Sequence, residues 1–259
     1  MKTVILDNIY RNGNLVTTMF RNGSLIYQRI TKEPEPGPGP GPVVDYSTMY
    51  LTIEALEDGD ITLGKPLFYS INDGAWIDSD GERTFHLNSG DVARFKYTDT
   101  ELGCSYAFAN NGIHFIAYGN IESLEYGDDF ISMQTYTTQQ NFSYLFSNCT
   151  GLTDVSNIVL PATTLEDNCY MGMFYGCTSI TTAPELPAIT LVSGCYGEMF
   201  RNCSSLNYVK CLATSLTAIF PLDFWVAGVS PTGTFVKKSG VEWPTGVSGI
   251  PSGWTVIEE

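Results

Sequence analysis

Tyr144-Leu145-Phe146-Ser147-Asn148-Cys149-Thr150-Gly151-Leu152 returns as Met173-Phe174-Tyr175-Gly176-Cys177-Thr178-Ser179-Ile180, and again as Met199-Phe200-Arg201-Asn202-Cys203-Ser204-Ser205-Leu206. Phe146, Phe174 and Phe200 are 28 and 26 residues apart, and Cys149, Cys177 and Cys203 keep the same spacings. A fixed period in this range predicts a solenoid, in which each unit buries its apolar face on its neighbours. Cys169 and Cys195 share a second column, and Val226 and Val229 lie 26 residues beyond Phe200 and Cys203, which predicts a worn fourth coil. The tail from Phe235-Val236-Lys237-Lys238 to Gly253-Trp254-Thr255-Val256 is expected to cap the open end.

Upstream the pattern changes. Tyr50 to Leu56, Leu67 to Ile71, Thr84 to Leu87 and Val92 to Tyr97 are β-prone runs, separated by Glu57-Asp58-Gly59-Asp60, Asn72-Asp73-Gly74 and Asn88-Ser89-Gly90-Asp91. Short strands broken by Gly and Asp turns predict a small antiparallel sandwich over 43–112. Ile113 to Tyr118 reads as a strand, and Gly119 to Leu124 as the opening of the first coil, placing a solenoid over 113–259. Before these lies Glu33-Pro34-Glu35-Pro36-Gly37-Pro38-Gly39-Pro40-Gly41-Pro42, where alternating Pro and Gly prevent helix and sheet and leave a tether over 33–42.

Residues 1–32 repeat on a smaller scale. Tyr10-Arg11-Asn12-Gly13-Asn14-Leu15 recurs as Phe20-Arg21-Asn22-Gly23-Ser24-Leu25, a shift of ten. Asn-Gly between β-prone residues is a hairpin signal, because both central positions take positive φ. Two hairpin turns in so short a piece cannot hold a core alone, so this segment is expected to pair with another chain. It carries five Lys or Arg against Asp7, on a chain whose net charge is −15. A basic head on an acidic body suggests docking on something acidic; arginines solvated on short strands explain it equally well.

The overall acidity speaks against a nucleic-acid or anionic-membrane partner. No apolar run reaches the ~20 residues of a membrane helix, and Val4-Ile5-Leu6 is too short for a signal-peptide core, so synthesis without export by the usual route is expected. Neither cysteine column has CxxC spacing, and His86 and His114 are remote from the repeats. Stacked buried thiols are expected rather than a zinc site or disulfides. Asp78/Asp80 and Asp128-Asp129 are paired carboxylates beside Ser79, Gly81 and Gly127, a turn context rather than a glycosidase pair. No catalytic residue, metal site or cofactor is expected. Tyr rings recurring near the repeats suit glycan stacking, although Tyr170 and Tyr196 fit better as packing between coils. Tyr175 and Arg201 occupy equivalent, type-variable positions and are the candidate recognition residues.

The unit from Cys169-Tyr170-Met171-Gly172-Met173-Phe174 through Thr182-Ala183-Pro184-Glu185-Leu186-Pro187 resembles BspA-type leucine-rich repeats of Bacteroides-group bacteria and their phages. Gly249-Ile250-Pro251-Ser252-Gly253-Trp254-Thr255-Val256 is similar to the usual ending of such chains; together the likeness covers about 115–259. The tandem of Tyr10, Arg11, Asn12, Gly13, Phe20, Arg21, Asn22 and Gly23 resembles the short anchors opening phage head-fibre and tail-fibre proteins. The fold expected is therefore mainly β: a hairpin anchor, a small antiparallel sandwich and a leucine-rich-repeat-like solenoid. The resemblance implies a fibre or capsid-decoration protein on the virion surface, made in the bacterial cytoplasm. It would attach to capsid or tail proteins through residues 1–32 and bind a host-surface glycan or protein. A homo-oligomer, preferably a trimer, is expected, without membrane insertion. A bacterial BspA-like adhesin and a glycan-degrading fibre are the alternatives.

Overall fold

The computed structural model describes the backbone of residues 4–11, 14–21 and 24–29, and residues 44–80, 83–96, 104–132 and 142–259 in full. The chain divides into two compact units, Met1–Val44 and Asp45–Glu259. In the first, β1 (Val4–Arg11), β2 (Asn14–Arg21) and β3 (Ser24–Arg29) form an antiparallel meander. Arg11 faces Asn14 and Arg21 faces Ser24. The Asn12-Gly13 and Asn22-Gly23 turns and the Pro/Gly tether lie outside the described residues.

In the second unit, β4 (Leu51–Ala55), β6 (Phe68–Ile71), β7 (Ile77–Asp78), β9 (Val92–Lys96), β10 (Phe115–Asn120) and β11 (Leu152–Asp154) form one sheet, ordered β11-β10-β4-β9-β6-β7. β12 (Ile158–Val159) also pairs with β10. The pairs from β10 through β7 are antiparallel, whereas β11 and β12 join β10 in parallel. β5 (Gly59–Thr62) and β8 (Thr84–Leu87) form a separate ribbon, and β13 (Tyr208–Cys211), β14 (Thr234–Lys237) and β15 (Thr255–Glu258) a parallel sheet. Among the described residues the one α-helix, α1 (Ser123–Tyr126), is a single turn.

Mainly β holds, but the expected sandwich and solenoid do not. The antiparallel strands of 43–112 do not close into a two-sheet sandwich: β4, β6, β7 and β9 share one sheet with β10, β11 and β12. The repeats do not stack as a continuous parallel sheet, because few of their residues are extended. Between β12 and β13 only the bridges Thr182↔Tyr208, Leu186↔Cys211 and Thr190↔Ser215 form. Pro184 and Pro187 supply no N–H there for a ladder. Among the described residues the strands therefore fall into separate sheets of mixed sense, none closed.

What repeats instead is a run of consecutive turns. At 142–149, the N–H groups of Leu145, Ser147 and Cys149 donate to the carbonyls of Phe142, Tyr144 and Phe146. The alternate N–H groups, of Phe142, Tyr144, Phe146 and Asn148, donate onward to Cys169, Met171, Met173 and Tyr175. Each run is thus closed internally and laddered to the next, so the backbone donors are satisfied without helix or long strand. Every fourth residue takes a left-handed backbone: Tyr144 and Asn148, then Gly172 and Gly176, Glu198 and Asn202, Phe224 and Gly228.

Inside, Phe108, Phe146, Phe174 and Phe200 stack in a column, with successive centroids 5.1, 5.8 and 5.7 Å apart. A second column runs Phe142, Tyr170, Tyr196, Trp225. Trp225 also tilts against Phe200 and donates its indole N–H to Gly249, closing both columns. The cysteines complete the packing. Cys149, Cys177 and Cys203 each direct Sγ at the carbonyl of Phe108, Phe146 or Phe174, at 2.8, 3.0 and 2.9 Å. All seven thiols are free and buried, and burial pushes Cys149, Cys195 and Cys211 up to about 12. One apolar core runs from Leu51 to Trp254.

Candidate functional site

The outer side of the turn runs carries the candidate site. Ladder register puts Tyr106, Tyr144, Gly172, Glu198 and Phe224 in one row, since each bonds or aligns with the next run. Tyr175 and Arg201 occupy the row beside it. The structure brings these two sequence-chosen residues together: the Arg201 guanidinium carbon lies 5.9 Å from the Tyr175 ring centroid and 5.3 Å from that of Phe224. Tyr106 and Tyr144 stack at 5.0 Å with planes 4° apart, and Tyr144 lies 6.3 Å from Tyr175. Five side chains thus form one continuous strip of faces across successive runs.

Glu198 holds the strip in place. The Tyr144 hydroxyl donates to its Oε2 at 2.9 Å, and Arg201 Nη1 donates to its Oε1. Tyr144 reaches Glu198 by crossing the intervening run at Gly172. A Cβ on Gly172 would sit 2.2 Å from the Tyr144 ring, and its backbone has φ +60°. Space therefore requires glycine there, and the left-handed backbone favours it. Burial, then the hydrogen bond and charge of Glu198, push the Tyr144 hydroxyl well above the usual phenol range, so it acts as a fixed neutral donor. Asn202 Nδ2 reaches the Tyr175 hydroxyl at 3.4 Å.

At one end the strip meets unusual exposure. Phe224 is 45 % exposed, Phe220 74 % and Ile219 70 %. Phe220 and Phe224 both have φ +49°, at ladder positions where earlier runs place Asn168 and Gly194, or Tyr106, Tyr144, Gly172 and Glu198. A left-handed backbone at a bulky residue costs of order 1–3 kcal/mol. Phe220 recovers little of that by burial in the isolated chain, whereas Phe224 is partly covered by Arg201. Beside them lie two depressions, of about 240 Å³ and about 600 Å³. Ile219, Phe220 and Asp223 line both.

A second aromatic cluster is satisfied internally. Tyr50 packs on Trp76 and Phe130, and Asp128 accepts from the Tyr50 hydroxyl at 2.6 Å and from Lys96 at 2.8 Å. Lys96 lies 4.5 Å from the Trp76 ring. Burial, then Asp128, pushes Tyr50 up to about 12. His86 and His114 pair at the surface with Asp60 and Glu57, at 2.8 and 2.9 Å.

Of the anchor residues, Tyr10, Arg11, Phe20 and Arg21 fall in β1 and β2, opposite Leu15, Asn14, Leu25 and Ser24. Asn12, Gly13, Asn22 and Gly23 lie outside the described residues. Sequence reasoning missed Tyr106, Phe220, Phe224 and the role of Gly172. The signal for Tyr106 is present: Tyr106-Ala107-Phe108-Ala109-Asn110 matches Tyr144-Leu145-Phe146-Ser147-Asn148, but at a spacing of 38 that breaks the period. A scan against protein-family models, a search of the curated proteins and a search of the solved structures each found no match.

Proposed function

We propose that this chain is a non-enzymatic fibre or capsid-decoration protein of a virion, attached through residues 1–32 and displaying the turn runs to a host-surface glycan or protein. The observation carrying the display half is the strip of Tyr106, Tyr144, Tyr175, Arg201 and Phe224, held by Glu198 and facing outward. Aromatic rings bury large areas at low entropy cost, and Tyr and Arg are enriched at recognition hot spots. What supports the attachment half is the likeness of the Asn-Gly tandem to phage fibre anchors, together with the order of anchor, tether and display unit.

Deleting residues 1–32 tests the attachment. The truncated chain is expected to be soluble, to keep its thermal transition, and to be missing from purified particles. Normal incorporation of the truncated chain would refute the anchor. A purified capsule converted to smaller oligosaccharides by the intact chain would replace the non-enzymatic reading with the glycan-degrading one.

A further inference from the structure

We infer that the strip continues into the cleft beside Phe220 and that the two together bind a neutral polysaccharide, a ligand class that rests on the display role proposed above. Phe220 and Asp223 line both the small depression that includes Glu198 and the larger cleft of about 600 Å³, so the surface is continuous from Glu198 to Glu242. Along it, ring surface is open to solvent at Phe220 and in part at Phe224, whose ring Arg201 partly covers. Exposed rings beside an open cleft suit a polymer whose sugar units offer apolar ring faces. Phe220 and Phe224 adopt left-handed backbone, yet Phe220 stays mostly and Phe224 nearly half exposed. In the complex those rings are covered.

Charge selects among polymers. The larger cleft presents Asp223, Glu242 and Ser248 as polar groups, and among the described residues no Lys, Arg or His lines either depression. Arg201, the cation of the strip, is engaged by Glu198 and lies between Tyr175 and Phe224. A sulfated or uronic-acid polymer would bring anions to carboxyl groups without a free cation to receive them. Sugar hydroxyls, by contrast, donate to Asp223 and Glu242. A basic peptide also suits two carboxyl groups, but it would need acids repeating along the strip. The acid there, Glu198, is already bound by Tyr144 and Arg201.

The test is affinity electrophoresis of the full chain through gels holding mannan, galactan, xylan or dextran, with polygalacturonate, dextran sulfate and a soluble basic peptide as contrasting arms. Retardation by at least one neutral polymer is expected, weakened at least about tenfold by Phe220→Ala and by Asp223→Asn. Both substituted residues are exposed or at the cleft rim, and unchanged melting would confirm folding. Binding only to anionic polymers, only to the basic peptide, or to none of the panel would overturn the inference, as would retardation unaffected by Phe220→Ala. Tyr175→Ala and Arg201→Ala separate the two levels. If they abolish attachment to host cells while every neutral polymer fails to bind, the display role stands and the ligand class falls.

Discussion

At the scale of single residues, the strip depends on what is missing at Gly172. Tyr144 lies where a side chain at 172 would be, and so reaches Glu198 two runs away. Gly172→Ala is expected to destabilise the chain by about 1–3 kcal/mol, through a strained left-handed alanine and a displaced ring. The same variant should bring Tyr144 back toward the ordinary phenol range, because its hydroxyl leaves Glu198. Chemical denaturation and ultraviolet titration of the tyrosines measure the two effects. An unchanged titration would mean that Tyr144 does not depend on the glycine. The cysteines show residue choice working inward. A thiol is small, apolar and a weak donor, and that combination fits beneath a Phe carbonyl of the preceding run.

At the scale of elements, the repeated piece is a turn run rather than a strand. Its pitch is set by alternate N–H groups bonding onward, and its interior by the Phe and Tyr columns. Phe174, stacked between Phe146 and Phe200, is expected to cost about 3–5 kcal/mol when replaced by Ala, read from the denaturation midpoint. A loss below 1 kcal/mol would mean that the columns do not carry the fold. Much of this was legible. The Phe and Cys spacings located the columns, the Val226 spacing located the last run, and the Gly- and Asn-rich turns located β4, β6, β8 and β9. The architecture was not legible, because a period reports that units stack and not which backbone geometry stacks them. The first run was hidden by its irregular spacing. The partners of β10 were hidden because strand neighbours are fixed by tertiary packing that no local pattern encodes.

At the scale of the whole molecule, acidity and burial meet at Glu122. It is fully buried, and neither carboxyl oxygen has a hydrogen-bond partner. Burial, and then the charge of Glu125, push it up to about 7 from 4.5. The folded state therefore holds this proton more tightly than the unfolded one. Its contribution is fully present below about pH 4.5, falls as pH rises toward 7, and levels off above. Glu122→Gln should remove that decline and add on the order of 2–3 kcal/mol above pH 7. Melting curves across pH 4–8 that slope alike in both proteins would contradict this.

The central claim is that an acidic, core-bearing body is carried on a particle by a small basic head. Antibodies raised against residues 45–259 and imaged by electron microscopy on purified virus particles, made from the genome encoding this chain, test it most directly. The account predicts label at regular outward sites on intact particles, lost when residues 1–32 are deleted. Label confined to the host cell, with intact particles bare, would contradict it.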